Sequence, residues 1–302
     1  MLLLSTMFFV ACGKDPVVEE PDKEATIQKF ISVSNATLVE DEMPQATSDQ
    51  AIVVTMNKYV ISGGSSTVSI VSERPARKIL VGMKDQVGYY ELTPNASRDN
   101  AYSFVMLVVQ NIALSEGQDS FTVMMAIEDE NGDISKVCEN TVNLKAVGTG
   151  TLQVSLSFDT SKDLDLHLIE PEYNDQYGEP VPFDERHIYY GYSVAYNSGG
   201  ELNLESNAGC IIDEINNENI TYNENAFVAP GTYKVYVDLW ENCDKTVPTN
   251  YLVTVFYRGS LIASRSATFE ANAPGTYNPI NESYVDEHEP FLTFTIGDKG
   301  QN

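Results

Sequence analysis

The chain has 302 residues, of which 42% are hydrophobic, and it carries 44 Asp and Glu against 18 Lys and Arg, a formal net charge of −26. The hydrophobic fraction is sufficient for a packed core, and the length is enough for two ordinary domains. Because so negative a surface repels phosphate backbones, the charge argues against nucleic acid as a partner.

Residues 2–11 form a mostly apolar run at the N-terminus. About 20 apolar residues are needed to cross a bilayer, so the run is too short to span one, but it has the length of the apolar part of a signal peptide. The segment Val10-Ala11-Cys12-Gly13 resembles the lipobox of bacterial lipoproteins. We therefore predict a lipoprotein signal peptide over 1–11 and membrane attachment through a diacylglycerol on Cys12. The alternative is a short buried apolar segment with an incidental cysteine.

Residues 12–24 are rich in charge and proline and nearly free of bulky side chains. Such a segment cannot bury enough apolar surface to offset its chain entropy, so we predict a lipidated, disordered tether. The acidic residues after Cys12 resemble the surface-export signal of lipoproteins from the Bacteroides group. The resemblance implies an outer-membrane lipoprotein of the bacterial cell envelope, periplasmic or surface-exposed.

After the tether, short runs of alternating apolar and polar residues predict β-strands rather than helices. Phe121, Val123, Met125 and Ile127 lie on one face of such a run, and the pair Asn131-Gly132 predicts a turn soon after it. Several strands at this spacing over residues 25–147 predict an immunoglobulin-like β-sandwich.

A short linker around residues 147–150 precedes a second set of strands, so we predict a second sandwich over 148–302. It opens with a strand whose even-numbered residues face one way, from Leu152 to Phe158. Longer loops are expected at 170–187, 206–230 and 271–289, and loops often carry binding residues. The predicted fold class is all-β, with two antiparallel β-sandwich domains.

Of the four cysteines, Cys210 and Cys243 fall in one predicted domain, each in a polar loop region. They are the candidates for a disulfide, since such bonds form outside the cytoplasm. Cys138 is then unpaired, as a small buried residue of the first domain.

The segment 163–169 alternates acidic and histidine side chains with leucines. Asp163, Asp165 and His167 are expected on the face opposite Leu164, Leu166 and Leu168. Two carboxylates on one strand face repel each other, and either a shared cation or water relieves the repulsion. Ca²⁺ takes six to eight oxygen ligands, which loop residues could complete. The candidates for completing the shell are Asn197, Asp213, Glu218 and Asn219.

The alternative for this segment is a solvated strand face without a metal. His167 has its own two interpretations. It could ligate zinc or act in acid–base chemistry, but we favour a hydrogen bond to a neighbouring acid that orders a loop.

An ordered series of short segments runs through about residues 151–260: SLSFD (155–159), DLDLHLIEP (163–171), IYYG (188–191), SGGEL (198–202), NAGC (207–210), ENITY (218–222), APGTYKV (229–235), Cys243 and YLVTV (251–255). In this series the second domain resembles the YfaP-like family of poorly characterised exported bacterial domains. The resemblance implies a β-sandwich accessory domain with no established chemistry.

The acidic pair, histidine and glutamate of the family map onto Asp163, Asp165, His167 and Glu218. With the resemblance, the predicted metal ligands are Asp163, Asp165, Glu218 and Asn219, for a structural Ca²⁺. The resemblance also supports the Cys210–Cys243 disulfide. Tyr222 stands where the family more often has tryptophan, and the loop at 171–187 is enlarged.

The sequence favours a binding module over an enzyme. It contains no Gly-x-Ser-x-Gly elbow, no His-Glu-x-x-His helix and no P-loop. Tyr189, Tyr190, Tyr192 and Tyr196 could stack on sugar rings, although alternating strand tyrosines are the simpler interpretation. We predict a non-catalytic envelope lipoprotein that binds or adheres to a glycan, a peptide or another envelope protein. The alternatives are a structural spacer and a degradative hydrolase, because a glycosidase needs only two carboxylates.

Overall fold

The computed structural model describes residues 25–95, 99–110, 112, 114, 117–276 and 280–297. The predicted signal peptide, the tether and the lipidation site Cys12 lie outside these residues. No helix in the described part of the chain is long and apolar enough to cross a bilayer.

The first half of the chain is built almost entirely from short strands. In chain order they are β1 (Ile31–Val33), β2 (Thr37–Val39), β3 (Ile52–Thr55), β4 (Tyr59–Ile61), β5 (Ser65–Ser72), β6 (Ala76–Met83), β7 (Tyr89–Leu92), β8 (Ala101–Val108), β9 (Ser120–Asp129) and β10 (Cys138–Lys145). A single 3₁₀ turn, Ile27–Lys29, precedes β1 among the described residues. These strands form a four-stranded sheet in the order β1-β8-β5-β3 and a six-stranded sheet in the order β2-β7-β6-β9-β10-β4.

The second half is also built mostly from strands, with two short helices among its described residues. Its elements are β11 (Leu152–Phe158), β12 (Asp163–Ile169), α1 (Phe183–Arg186), β13 (His187–Ile188), β14 (Val194–Ala195), β15 (Gly200–Leu204), a 3₁₀ turn (Ala208–Cys210), β16 (Asn217–Tyr222), β17 (Gly231–Glu241), β18 (Thr249–Tyr257), β19 (Ser260–Phe269), α2 (Glu282–Glu287) and β20 (Leu292–Ile296). The sheet orders are β14-β15-β16-β11-β18-β19 and β13-β12-β17-β20.

The prediction of an all-β fold is confirmed. Each half encloses its own hydrophobic core, one formed from residues between 27 and 144 and the other from residues between 152 and 296. The alternating residues Phe121, Val123, Met125 and Ile127 lie in the first core as predicted. One strand pair departs from the antiparallel rule, because β4 pairs with β10 in parallel.

The predicted loops contain more regular structure than expected. Strand β16 lies within the segment 206–230, which the sequence predicted to be a loop. Its residues are mostly polar and all buried, with Ile220 and Tyr222 in the core. The polar alternation hid this strand, because polar residues on a strand usually indicate exposure to water. The segments 170–187 and 271–289 likewise contain α1 and α2.

The two sandwiches meet through buried polar groups. Leu152, Val154 and Leu156 of β11 face the core, while Gln153 and Ser157 on the opposite face are buried at the contact with the first sandwich. Gln153 Nε2 donates to the Ser62 carbonyl over 2.6 Å. Ser157 Oγ accepts from the Ser65 amide over 3.0 Å. Strand β11 is therefore buried on both faces.

Candidate functional site

The polar face of β12 carries the side chains that the sequence singled out. Leu164, Leu166 and Leu168 point into the second core and are fully buried, which places Asp163, Asp165 and His167 on the opposite face, as the alternation predicted. The interpretation of this face as solvated is wrong, because each of the three polar residues is at most 4% exposed.

Loop segments of the second sandwich pack on the Ile169 end of this face. Ile169 of β12 and Tyr236 of β17 form a small apolar cluster with Ile280, Val285 of α2 and, at its edge, Phe183 of α1. The Tyr236 hydroxyl donates to the His288 carbonyl over 3.1 Å. The loop segments 170–187 and 271–289, which were expected to carry binding residues, therefore pack on this end of the strand face.

The neighbouring strand β17 adds a carboxylate that the sequence analysis did not identify. Asp165 lies directly opposite Asp238 in the antiparallel pairing of β12 with β17. One carboxylate oxygen from each aspartate and one ring nitrogen of His167 all lie within 4.8 Å of one another. We refer to Asp165, His167 and Asp238 as the carboxylate–histidine cluster. Like charges directly opposite each other on paired strands destabilise a sheet unless something compensates them.

Glu218 approaches this region from the other sheet. It is a buried residue of β16, and its Oε2 accepts a hydrogen bond from the Leu166 amide over 2.6 Å. Its Oε1 is buried without a hydrogen bond of normal geometry. Asp163 is held differently, because its Oδ2 accepts from the Gly209 amide over 2.8 Å.

Nearby basic side chains do not neutralise these carboxylates. Lys162 is fully buried, but its ammonium donates to Asn242 Oδ1 and to the Asp244 carbonyl, at 2.6 and 2.7 Å. Arg186 donates to two backbone carbonyls instead. Among the described residues, the ion pairs involve other acids. The cluster therefore concentrates carboxyl groups without a cationic side chain that would balance their charge on ionisation.

Burial and mutual repulsion shift the acidity of these groups. Burial raises the pKa of Asp163 to about 6. Burial, with repulsion from Asp163 and Asp238, raises the pKa of Asp165 to about 8. Burial and repulsion from Asp165 hold the pKa of Glu218 well above its usual range, against the opposing effect of the backbone amides of Leu166 and Ser206. Strongly shifted acids grouped beside a pocket are typical of functional sites.

Two histidines lie beside the acids. His167 Nδ1 and His187 Nε2 are 2.9 Å apart, a hydrogen bond between the rings. Tyr189 stacks on both rings, with centroids 4.2 Å from His187 and 5.3 Å from His167. Burial lowers the pKa of both histidines, that of His187 to about 4, so both rings are neutral near pH 7. The predicted bond from His167 to an acid is replaced by this bond to a histidine.

A pocket of about 200 Å³ opens next to the cluster. We call it the acidic–aromatic pocket, and its lining residues are Asp163, Asp165, Tyr190, Glu205, Ala208, Gly209 and Trp240. The Tyr190 and Trp240 rings meet edge to face with centroids 5.3 Å apart. Tyr190 is 36% exposed. The pocket therefore offers carboxylates and two aromatic surfaces to a small group entering from solvent.

The predicted disulfide lies beside this pocket, next to the lining residue Gly209. Cys210 and Cys243 are bonded, which confirms the prediction, and the bridge joins the loop after β15 to the end of β17. Gly209, next to Cys210, has a φ of 57°, a conformation that glycine adopts without strain. The bridge thus holds the Gly209 amide against Asp163. Cys138 is a free, half-buried thiol of the first sandwich.

The remaining predicted ligands lie elsewhere. Asn219 is next to Glu218 on β16 but faces the other way, where its amide bonds to Gln153, Ser155 and Asn203. Asn197 donates to Glu185 in an exposed loop. Asp213 accepts from the Ile215 amide in another exposed loop. Of the four predicted ligands, the structure therefore places only Asp165 in the carboxylate–histidine cluster. Asp163 lines the pocket beside it, Glu218 lies close enough to Asp165 to repel it, and Asn219 lies outside the site.

The four candidate tyrosines do not form one surface. Tyr189 belongs to the histidine stack, and Tyr190 lines the acidic–aromatic pocket. Tyr192 and Tyr196 form a separate edge-to-face pair with centroids 6.2 Å apart, and Tyr196 is 82% exposed. Asp238 and Trp240 were missed by the sequence analysis, although they alternate with the core residue Leu239 on β17.

Comparison with known proteins gives little beyond this geometry. No family model matches the chain, and no curated protein matches it. Among solved structures, it is similar to BcpA, the major pilin subunit of Bacillus cereus, at 10% sequence identity and a TM-score of 0.19. The match covers 74% of this chain and 67% of that one, and at this TM-score it carries no argument. The resemblance to the YfaP-like family stays a prediction.

Proposed function

We propose that the chain is a non-catalytic binding module of the bacterial cell envelope, tethered by lipid on Cys12, and that the acidic–aromatic pocket takes the recognised group. The pocket is the observation that carries this proposal. Its volume of about 200 Å³ suits one side chain or one sugar substituent, because sites for drug-sized ligands are typically about 300–1,000 Å³. A glycan, a peptide or an envelope protein could each present such a group.

The chemistry of the lining favours a positively charged or hydrogen-bond-donating group. Asp163, Asp165 and Glu205 supply acceptors, and Tyr190 and Trp240 supply aromatic faces. An ammonium or guanidinium over such a face gains roughly 0.5–2 kcal/mol, more as water is excluded. The strongest candidates are therefore amino sugars and Lys- or Arg-bearing peptides.

The binding proposal is tested with glycan and peptide arrays probed by the purified chain. Tyr190→Ala and Trp240→Ala should weaken any captured interaction at least tenfold. Tyr177→Ala, which removes an 80% exposed tyrosine outside the pocket, serves as the matched control. Equal losses in all three variants, or binding that survives both pocket variants, would show that the pocket is not the binding surface.

The anchoring part of the proposal has an independent test. The Cys210–Cys243 disulfide supports an oxidising compartment. Metabolic labelling with a radioactive fatty acid should mark the wild-type chain, and Cys12→Ser should lose both the label and membrane association. Retention of an uncut N-terminus in the cytosol would refute export.

A hydrolase is the second candidate, and the separated acidities of Asp163 and Asp165 favour it. Paired carboxylates with pKa values of about 6 and 8 resemble an acid and a base. Screening with chromogenic glycosides and esters decides between the two functions. Turnover that disappears in Asp165→Asn would establish an enzyme and displace the binding proposal.

A further inference from the structure

We propose that Asp165, His167 and Asp238 bind a first-row transition-metal ion of the Zn²⁺ type, rather than the all-oxygen Ca²⁺ site that the sequence suggests. This inference goes beyond the binding function and does not depend on what enters the acidic–aromatic pocket. It rests on three features of the cluster: donor spacing, the unused nitrogen of His167, and uncompensated charge.

The spacing of the donors is the first feature. Each of the three residues offers one ligand atom, and these atoms lie within 4.8 Å of one another. Zn²⁺ binds oxygen and nitrogen ligands at about 2.0–2.2 Å, so tetrahedral ligand atoms are roughly 3.3 Å apart. Modest side-chain rotation would close the remaining gap.

The imidazole of His167 is the second feature, and it points to a ligand independently of the acids. The residue is 1% exposed, and its Nε2 has no hydrogen-bond partner in the described structure. A buried ring nitrogen without a partner is costly. A metal ion at Nε2 would supply that partner.

The bond between the histidines completes the arrangement. Two ring nitrogens 2.9 Å apart share a hydrogen, so either His167 Nδ1 or His187 Nε2 donates across this contact. When His167 Nδ1 donates, its Nε2 carries the lone pair that a metal needs. Metal-binding histidines usually donate their other nitrogen in this way, which fixes the tautomer and the ring orientation. Tyr189, stacked on both rings, holds the pair in place.

The charge of the site is the third feature, and the donor set decides the class of ion. Asp165 and Asp238 lie directly opposite each other, and Glu218 Oε1 is buried nearby without a normal hydrogen bond. A divalent cation would offset this repulsion. Ca²⁺ and Mg²⁺ prefer oxygen ligands, whereas imidazole favours Zn²⁺ and its neighbours in the first transition row.

The test is direct metal binding by the full chain after EDTA treatment and dialysis. Equilibrium dialysis with elemental analysis should find one Zn²⁺ per chain, undisturbed by a thousandfold excess of Ca²⁺. Asp165→Asn, His167→Gln and Asp238→Asn should each lower the Zn²⁺ affinity at least 100-fold. His187→Gln should lower it about tenfold, because outer-shell partners of metal ligands have effects of about 10- to 100-fold.

The matched controls are His288→Gln and Asp213→Asn, which change an exposed histidine and an exposed aspartate outside the cluster. Each should alter the affinity less than threefold. Absence of stoichiometric Zn²⁺ binding, equal losses in the controls, or displacement of Zn²⁺ by comparable Ca²⁺ would overturn the proposal.

A measurement on the wild-type chain guards against variants that fail to fold. In the ¹⁵N-histidine-labelled protein, Zn²⁺ should shift one buried imidazole Nε2 resonance while the His288 resonances stay unchanged. Spectra that are identical with and without Zn²⁺ would refute the site even if every variant unfolded. Failure of the array experiments would leave this result unaffected, so the two proposals stand or fall separately.

Discussion

Removal of the Cys210–Cys243 disulfide should destabilise the second sandwich by about 3–4 kcal/mol. The two cysteines are 33 residues apart, so the bond closes a loop of about 34 residues in the unfolded chain. In the chain-entropy model this loop lowers the unfolded-state entropy by about 12.6 cal/mol/K, or about 3.8 kcal/mol at 25 °C. The double variant Cys210→Ser/Cys243→Ser removes the closure with little change in volume.

The chain contains a single tryptophan, and Trp240 lies near this bond, on β17 in the acidic–aromatic pocket. Its fluorescence therefore reports on unfolding of the second sandwich. With an m-value of about 2 kcal/mol/M, the urea midpoint of the double variant should fall by roughly 2 M. Cys138→Ser is the matched control, because it changes a free thiol in the first sandwich.

The control should shift the tryptophan-detected midpoint by less than about 0.5 M. If the urea midpoint of the double variant lies within 0.5 M of the wild-type midpoint, the loop-closure argument fails for this chain. A normal midpoint with a disturbed pocket would show instead that the bridge serves mainly to hold the Gly209 amide on Asp163.

Three further predictions concern the core, the junction and pH. Leu156→Ala should destabilise the second sandwich by about 2–5 kcal/mol in urea unfolding, because it leaves a cavity in a fully buried position. As a control, Ile211→Ala, at a 79% exposed position, should change the free energy of unfolding by less than about 0.5 kcal/mol. Gln153→Ala should cost about 1–3 kcal/mol by leaving buried polar groups at the junction without partners, and an unchanged calorimetric melting temperature would contradict this. For the metal-free protein, the raised pKa values of Asp165 and Glu218 mean that the folded state binds more protons than the unfolded chain. The stability from these groups is lost as pH rises from their unfolded pKa values near 4 through the folded pKa of Asp165 at about 8. Between about pH 6.5 and 8, above the usual pKa of histidine, stability should therefore fall by at most about 1.4 kcal/mol per pH unit and group, and urea midpoints that are constant or rising over this range would refute the assignment.

The strands of this protein were predictable because side-chain alternation is a local property. The leucines of β12 and the even-numbered residues of β11 reached the core as their spacing predicted. Burial of the opposite faces was not predictable, because it depends on distant partners. The first sandwich covers Gln153, and the loops around α1 and α2 pack on Ile169 and Tyr236.

The part of the candidate site that lies on β12 was predictable, and the part that depends on pairing with distant strands was not. Asp163, Asp165 and His167 share a face by alternation, but Asp238 joins them only through the register of β12 against β17. The side-chain alternation of a strand could have shown that Glu218 and Asn219 do not both face the site, since neighbouring residues on a strand point to opposite faces. That argument required recognising β16 as a strand, and its polar sequence concealed it.

The glycine-rich linker between the sandwiches has a mechanical consequence. The Gly148 carbonyl accepts from Asn219 Nδ2, and a side chain at Gly150 would collide with the Tyr222 carbonyl. These glycines therefore permit close backbone packing and do not make the linker flexible. Since hydrogen bonds are directional, they restrict bending between the two sandwiches. Because β11 is bonded to the first sandwich through Gln153 and Ser157, we expect a force applied to the second sandwich to act along β11 and not to bend the linker.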